Sequence, residues 1–237
     1  MMVSEQFARK FLNELEFPYP TPDRLQTALV ALQGDSVLLS AFARAWWTEG
    51  IPYAYKSAPG EYERLRNFLA ERMEIAARNV TLIGSGRFGY SIVPRKDGSA
   101  FSRESDLDFL CISNAVFEAL SGEFNRWLSK YETEWAGQEL PPDKRYYHDN
   151  ARSVPKQLER GLIDLNKIPL GDGYLQADKL SSVLAEAKKE FADLTVAKGA
   201  RKFSLRIFRD WNAAEKQLQI NLNHIIKQLQ LVLQSPQ

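Results

Sequence analysis

Residues 79–112 read Asn79-Val-Thr-Leu-Ile83, then Gly84-Ser-Gly-Arg-Phe-Gly89, a stretch interrupted by Pro94 and Gly98, and Ser105-Asp-Leu-Asp-Phe-Leu-Cys-Ile112. The first piece is short, aliphatic and β-branched, as in a strand, and it runs directly into glycines. Missing side chains in such a turn let backbone N–H groups approach a phosphate. The last piece alternates at Ser105 to Asp108 and is apolar from Phe109 onward, which predicts a strand entering a core. Residues 91–103 between them are expected to form a loop or hairpin excursion.

Gly84 to Gly89 matches G-x-G-x-x-G, a pattern shared by several phosphate-binding chemistries. A dinucleotide fold needs a crossover helix after the turn and its ribose-binding acid at the end of the next strand. Here Pro94 and Gly98 interrupt the only place for that helix, and Asp106 precedes its apolar run. Kinase chemistry needs A-x-K, H-R-D and D-F-G elements. Asp108-Phe-Leu and His148-Asp-Asn do not supply them.

A third reading joins the turn to Asp106-Leu-Asp108. Residues i and i+2 of a strand share a face, about 6.5–7 Å apart along the chain. Two carboxylates at a buried strand entrance repel each other and are expensive to desolvate without a cation between them. Mg²⁺ takes oxygen ligands and is commonly held by one or two carboxylates together with substrate phosphates. The alternative is a solvated strand face with Leu107 and Phe109 buried opposite.

On Ile83-Gly84-Ser85 and Ser105-Asp106-Leu107-Asp108-Phe109, the chain resembles the DNA polymerase beta-type nucleotidyltransferase superfamily. The resemblance implies an α+β fold, a small mixed β-sheet core with flanking helices. It also implies transfer of a nucleoside monophosphate from an NTP, with two Mg²⁺ ions, or Mn²⁺, held on three carboxylates. Gly84 and Ser85 would then anchor the triphosphate, with Gly86 and Arg87 beside them, and Asp106 and Asp108 would bind metal. Asp164, which interrupts the apolar run in Gly161-Leu-Ile-Asp-Leu-Asn-Lys-Ile-Pro169, is the choice for the third carboxylate, with Asp143 and Asp149 weaker candidates because their surroundings read as loop. An ion pair of Asp164 with Arg160 or Lys167 is the structural alternative. The wider frame, from Gly50-Ile-Pro to Arg206-Ile-Phe-Arg-Asp-Trp211, resembles bacterial stand-alone nucleotidyltransferases, often linked to phage defence or toxin systems. The 21 residues from Ser85 to Asp106 exceed the family's usual spacing, and the excess falls in Pro94 to Glu104, which could form a flap over the nucleotide.

Working outward, residues 1–77 read as helical, with Val3 to Leu15, Asp23 to Gln33, Ser36 to Glu49 and Glu61 to Arg78 carrying apolar residues at helical spacing. These helices could also dock a protein partner. A catalytic core is expected over residues 78–175, with helix at Ala115 to Trp135 and a strand at Leu162 to Ile168. C-terminal helices are expected over 176–237, at Ala177 to Leu194 and Phe203 to Leu233. Along the last of these, Phe208, Trp211, Leu218, Leu222, Ile225, Ile226 and Leu229 suit either self-association or a core, leaving the oligomeric state open.

The chain has 237 residues, 44% of them hydrophobic, which is ample for a packed core. Lys and Arg number 31 against 30 Asp and Glu, excluding a basic coat protein or an acidic tail. The balance hides an asymmetry. Residues 1–150 carry 17 basic and 21 acidic side chains, and residues 151–237 carry 14 and 9. Lys198, Arg201, Lys202, Arg206 and Arg209 form a run without an acid, either a solvated helix start or a wall for a triphosphate or polynucleotide, with Lys202 taken as a phosphate contact. One cysteine, Cys111, rules out an internal disulfide and a Cys-based zinc site. No apolar run reaches the roughly 20 residues of a membrane span, and charges break the opening residues where a signal peptide needs an apolar stretch, so a cytoplasmic protein without membrane contact is expected. The acceptor, whether RNA, protein or small molecule, is left open, and a non-catalytic nucleotide sensor or antitoxin-like partner with the same fold is the alternative function.

Overall fold

The computed structural model describes residues 19–32, 35–92, 98–171 and 173–234, with the side chains of Trp46 and 231–234 left aside. The expected helix Val3 to Leu15 lies outside the described residues, as do positions 93–97 of the proposed flap. What is described is α+β, with eight α-helices and one four-stranded mixed sheet. No described helix is long and apolar enough to cross a membrane.

Helix α1 spans Pro22–Ala31, with proline at its first position, and α2 spans Ser36–Phe42, capped by Asp35, whose side chain accepts from the amides of Val37 and Leu38. A wider π-helical turn, Ala43–Thr48, continues α2. Helix α3 runs Pro59–Met73, and strand β1 (Val80–Ile83) leads into the one-turn helix α4 (Ser85–Phe88). Strand β2 is Leu107–Ile112 and helix α5 is Asn114–Glu134. Then come α6 (Tyr146–Glu159), β3 (Leu162–Asp164), α7 (Leu175–Phe191), β4 (Phe203–Phe208) and α8 (Trp211–Gln234).

Strand order is β1-β2-β4-β3, with β2 and β4 parallel and the outer pairs antiparallel. Because side chains alternate across a strand, the sheet has two chemically distinct faces. Val80, Leu82, Leu107, Phe109, Cys111, Phe203, Leu205, Ile207 and Ile163 point to one and pack with α3, α5, α6 and α7. Toward the other face, Leu110, Ile112, Leu162 and Phe208 pack with α1, α2, Phe88 and the apolar stripe of α8. Leu218, Leu222, Ile225, Ile226 and Leu229 are therefore core residues here.

Three expectations need correction. Phe203 to Leu233 is not one helix: Phe203, Leu205 and Ile207 alternate as a strand, and Asp210 restarts the chain as a helix by accepting from the Ala213 amide at 2.8 Å. Leu162 to Ile168 is a strand only to Asp164, after which Leu165–Lys167 turns as a 3₁₀ helix. Residues around Asp149 form α6 rather than a loop. The expected hairpin excursion is seen where described, with Tyr90 bridged to Ala100.

One buried acid organises the apolar side. Glu123 on α5 is buried, and its carboxylate accepts from the amides of Gln176 and Ala177 at 2.7 and 2.9 Å. It thus caps α7 from a neighbouring helix, satisfying donors that the helix itself cannot. Glu123→Gln is expected to lower stability by about 1–2 kcal/mol in urea unfolding, since an amide presents one acceptor where two are needed. Cys111 is fully buried, and burial pushes its thiol up to about 12. Native protein should therefore resist alkylation at neutral pH and label only on unfolding, as mass spectrometry would show.

Candidate functional site

Backbone geometry sets the centre of the site. Gly84 has φ +69°, a left-handed value that glycine adopts freely, and it turns β1 into α4. Register places Ile83 opposite Asp108, so the turn lies beside that carboxylate. A Cβ at Gly84 would stand 3.1 Å from Asp108 Oδ2. Any larger residue would crowd the acid.

On the same face of the sheet, Asp108 is paired in register with Ser204, and Arg206 is paired with both Leu110 and Asp164. Ser204 Oγ donates to Asp108 Oδ1 at 2.5 Å. Arg206 Nε donates to Asp164 Oδ1 at 2.6 Å, and its Nη2 lies 3.4 Å from Oδ2. Gly84, Asp108, Asp164, Ser204 and Arg206 line a cavity of about 340 Å³, within the range of small-molecule pockets. Its roof is α8, through Leu218, Asn221, His224, Ile225 and Gln228, and Trp47, Ile83 and Ile92 supply apolar wall. Gln228 Nε2 lies 2.9 Å from His224 Nε2.

The predicted carboxylates are only partly brought together. Asp108 and Asp164 share the cavity, but Asp164 is neutralised by Arg206 rather than by Arg160 or Lys167. Asp106 lies one step before β2, where Arg201 grips it with two bonds, Nε to Oδ1 at 3.0 Å and Nη2 to Oδ2 at 2.9 Å. Asp149 pairs with Arg152 on α6. Among the described residues, no group of three His, Cys, Asp or Glu side chains is placed to hold a metal ion. Asp106 and Asp108 are oxygen donors of the type Mg²⁺ takes, but here Arg201 occupies both oxygens of Asp106 and Ser204 occupies Oδ1 of Asp108.

Other predicted contacts fall elsewhere. Arg87 is 5% exposed, and its Nη1 donates to the Gly50 carbonyl at 2.9 Å, tying the connector after the π-turn to the glycine turn. Burial lowers the pKa of its guanidinium. Gly86 is a packing position, since a Cβ there would meet Leu107 Cδ2 at 2.8 Å. Ser85 begins α4, and its carbonyl accepts from the Gly89 amide. Lys202 lines a different cavity, next to Arg201 and Ser204.

Ser204, Arg206, Asn221, His224 and Gln228 were not expected as neighbours of Asp108. The alternation Phe203-Ser-Leu-Arg-Ile-Phe208 carried the signal for the first two, since it puts Ser204 and Arg206 on one polar strand face. The basic run is dispersed accordingly: Arg201 pairs with Asp106, Arg206 with Asp164, and Arg209 with Asp210. No family model, curated protein or solved structure matches the chain.

The Asp164–Arg206 pair links the outer strand to the centre of the sheet, and both side chains are largely shielded. A double-mutant cycle with Asp164→Ala and Arg206→Ala should give a coupling of about 1–2 kcal/mol in unfolding free energy. Strictly additive losses would remove the pair from the forces holding β3 to β4.

Proposed function

We propose that the chain is a metal-dependent nucleotidyltransferase, moving an NMP from an NTP to an acceptor hydroxyl, in the manner of bacterial enzymes of phage defence or toxin systems. The observation that carries this reading is the Gly84-Ser85 turn held against Asp108 at the mouth of a nucleotide-sized cavity. In this reading the turn receives the β and γ phosphates and Asp108 faces the reacting end. Magnesium, or manganese, would be held by Asp106 and Asp108 and would supply charge neutralisation to the phosphates. Arg201 must then leave Asp106, a step assisted by its exposure and by the anionic substrate it can contact instead.

The acceptor oxygen attacks the α-phosphorus as its proton passes to water, the bond from phosphorus to the β-bridging oxygen breaks, and pyrophosphate leaves with the electron pair. In this reading the Ser204 hydroxyl, which donates to Asp108 Oδ1, supports that carboxylate at the cavity. Arg206, steadied by Asp164, offers a fixed cation beside the developing charge. A second reading, a non-catalytic nucleotide sensor or antitoxin-like partner, draws on the arginines that engage Asp106 and Asp164.

Incubation with Mg²⁺ and each α-labelled NTP, with and without bulk RNA, separates the two. Transfer of label is expected, with Asp108→Asn lowering it by about 100-fold or more. Binding of NTP without any transfer, unchanged by Asp108→Asn, would leave the sensor reading.

A further inference from the structure

Ser204 faces two cavities at once. Its hydroxyl meets Asp108 under α8, and it also lines a cavity of about 600 Å³ bordered by the start of α6, by α7 and by the start of β4. A further cavity of about 660 Å³ shares Ala185, Lys188 and Arg201 with that one. The two adjoin along α7 as one groove, whose wall includes Arg201 and Ser204, the residues bonded to Asp106 and Asp108.

Cations outnumber acids along the groove. Five cations, Arg103, Lys188, Lys189, Arg201 and Lys202, line it against Glu104 and Asp193, in a chain whose net charge is only +1. Lys188 Nζ donates to the Arg201 carbonyl, which keeps two of the cations side by side. Ion pairing within the groove engages Arg201, through Asp106, whereas Lys189, Lys202 and Arg103 form no ion pair among the described residues. So many unneutralised cations along one channel suit an extended polyanion better than a single small anion.

Aromatic surface distinguishes which polyanion. Tyr146, at the start of α6, lines the groove and is 47% exposed. Its ring meets Tyr147 edge-on at 4.8 Å, and Tyr147 is in turn packed against Trp127 and Trp135. An exposed ring packed edge-on against the buried Tyr147 offers a stacking surface, and Leu170, which lines the same cavity, is 58% exposed. Bases stack on such rings regardless of sequence, while the backbone follows the cations.

We propose that this groove binds single-stranded polynucleotide, its phosphates on Arg103, Lys188, Lys189 and Lys202 and a base on Tyr146, with the terminal hydroxyl delivered next to Ser204. The terminal hydroxyl's role as acceptor rests on the transferase reading above; the binding does not. In that role its oxygen forms the new bond to the α-phosphorus, pyrophosphate departs, the hydroxyl proton passes to water, and the strand grows by one nucleotide.

The test is fluorescence anisotropy of labelled single-stranded oligoribonucleotides and oligodeoxyribonucleotides with the whole chain, without NTP or Mg²⁺, from low to physiological salt. Affinity should fall steeply with salt, and Lys189→Glu with Lys202→Glu should weaken binding by about 10-fold or more and flatten the log–log salt slope by about 1.4. Tyr146→Ala should weaken binding by about 10-fold with the slope unchanged. Unchanged circular dichroism and unfolding midpoints keep these losses assigned to the groove, because all three side chains are on the surface. Binding untouched by the charge reversals overturns the proposal. So does equal competition by polyglutamate, or a Tyr146→Ala variant that binds as well as the parent, since either outcome assigns the groove to a polyanion without bases. Binding without label transfer in the parent defeats the transferase reading alone, and transfer to another acceptor without oligonucleotide binding defeats the groove alone.

Discussion

The parallel pairing of β2 with β4 is the constraint on which the other features depend. It joins residues separated by nearly a hundred positions, Leu107 with Phe203 through Ile112 with Phe208, and everything between them must cross over to make it possible. Its register puts Asp108 beside Ser204 and Leu110 beside Arg206. A slip of one residue would bury Ser204 and Arg206 in the apolar layer and turn Leu205 toward the cavity. Burial of Phe109, Phe203, Leu205 and Ile207 on the first face therefore determines the chemistry of the second.

That second face is only half apolar, and its polar half has to be internally reconciled. Asp108, Ser204, Arg206 and Asp164 lie under α8, where each loses water that must be replaced. Ser204 serves Asp108, and Arg206 serves Asp164, so the hydrogen-bonding groups that β4 presents are matched by its neighbours on both sides. Glu123 answers the same problem on the opposite side of the sheet by accepting two amide protons at the start of α7. In both places, long-range side-chain bonds replace solvent at a junction of secondary structures, the arrangement expected of buried polar groups.

How much was legible in the residues depended on whether the signal was local. β1, the glycine turn and β2 were readable because aliphatic runs, glycines and alternation are written within a few positions. The long helices α3, α5 and α7 were readable because their apolar residues recur at helical spacing. β4 was lost against α8, since the apolar residues of Phe203 to Phe208 run into an amphipathic stretch without a proline or glycine between them. Helix α6 was missed for another reason. It is polar overall, with Tyr147, Asn150 and Val154 as its buried residues, and Pro155 within it reads as a break. The ion pairs could not be read at all: Arg201 to Asp106 spans 95 positions, and Arg206 to Asp164 spans 42.

By itself, then, the sequence determined the α+β class, the strand–glycine–turn beside an acidic strand, and the absence of any disulfide, because each follows from neighbouring residues or from composition. Tertiary structure alone decided which carboxylates share a cavity, that Arg206 rather than a lysine answers Asp164, and that Arg87 is a buried tie to Gly50. It also decided that the C-terminal helix closes the site instead of leaving it open. The reason is physical: the pairing register and the packing of α8 depend on contacts between distant segments, and no local pattern specifies how those contacts will be matched.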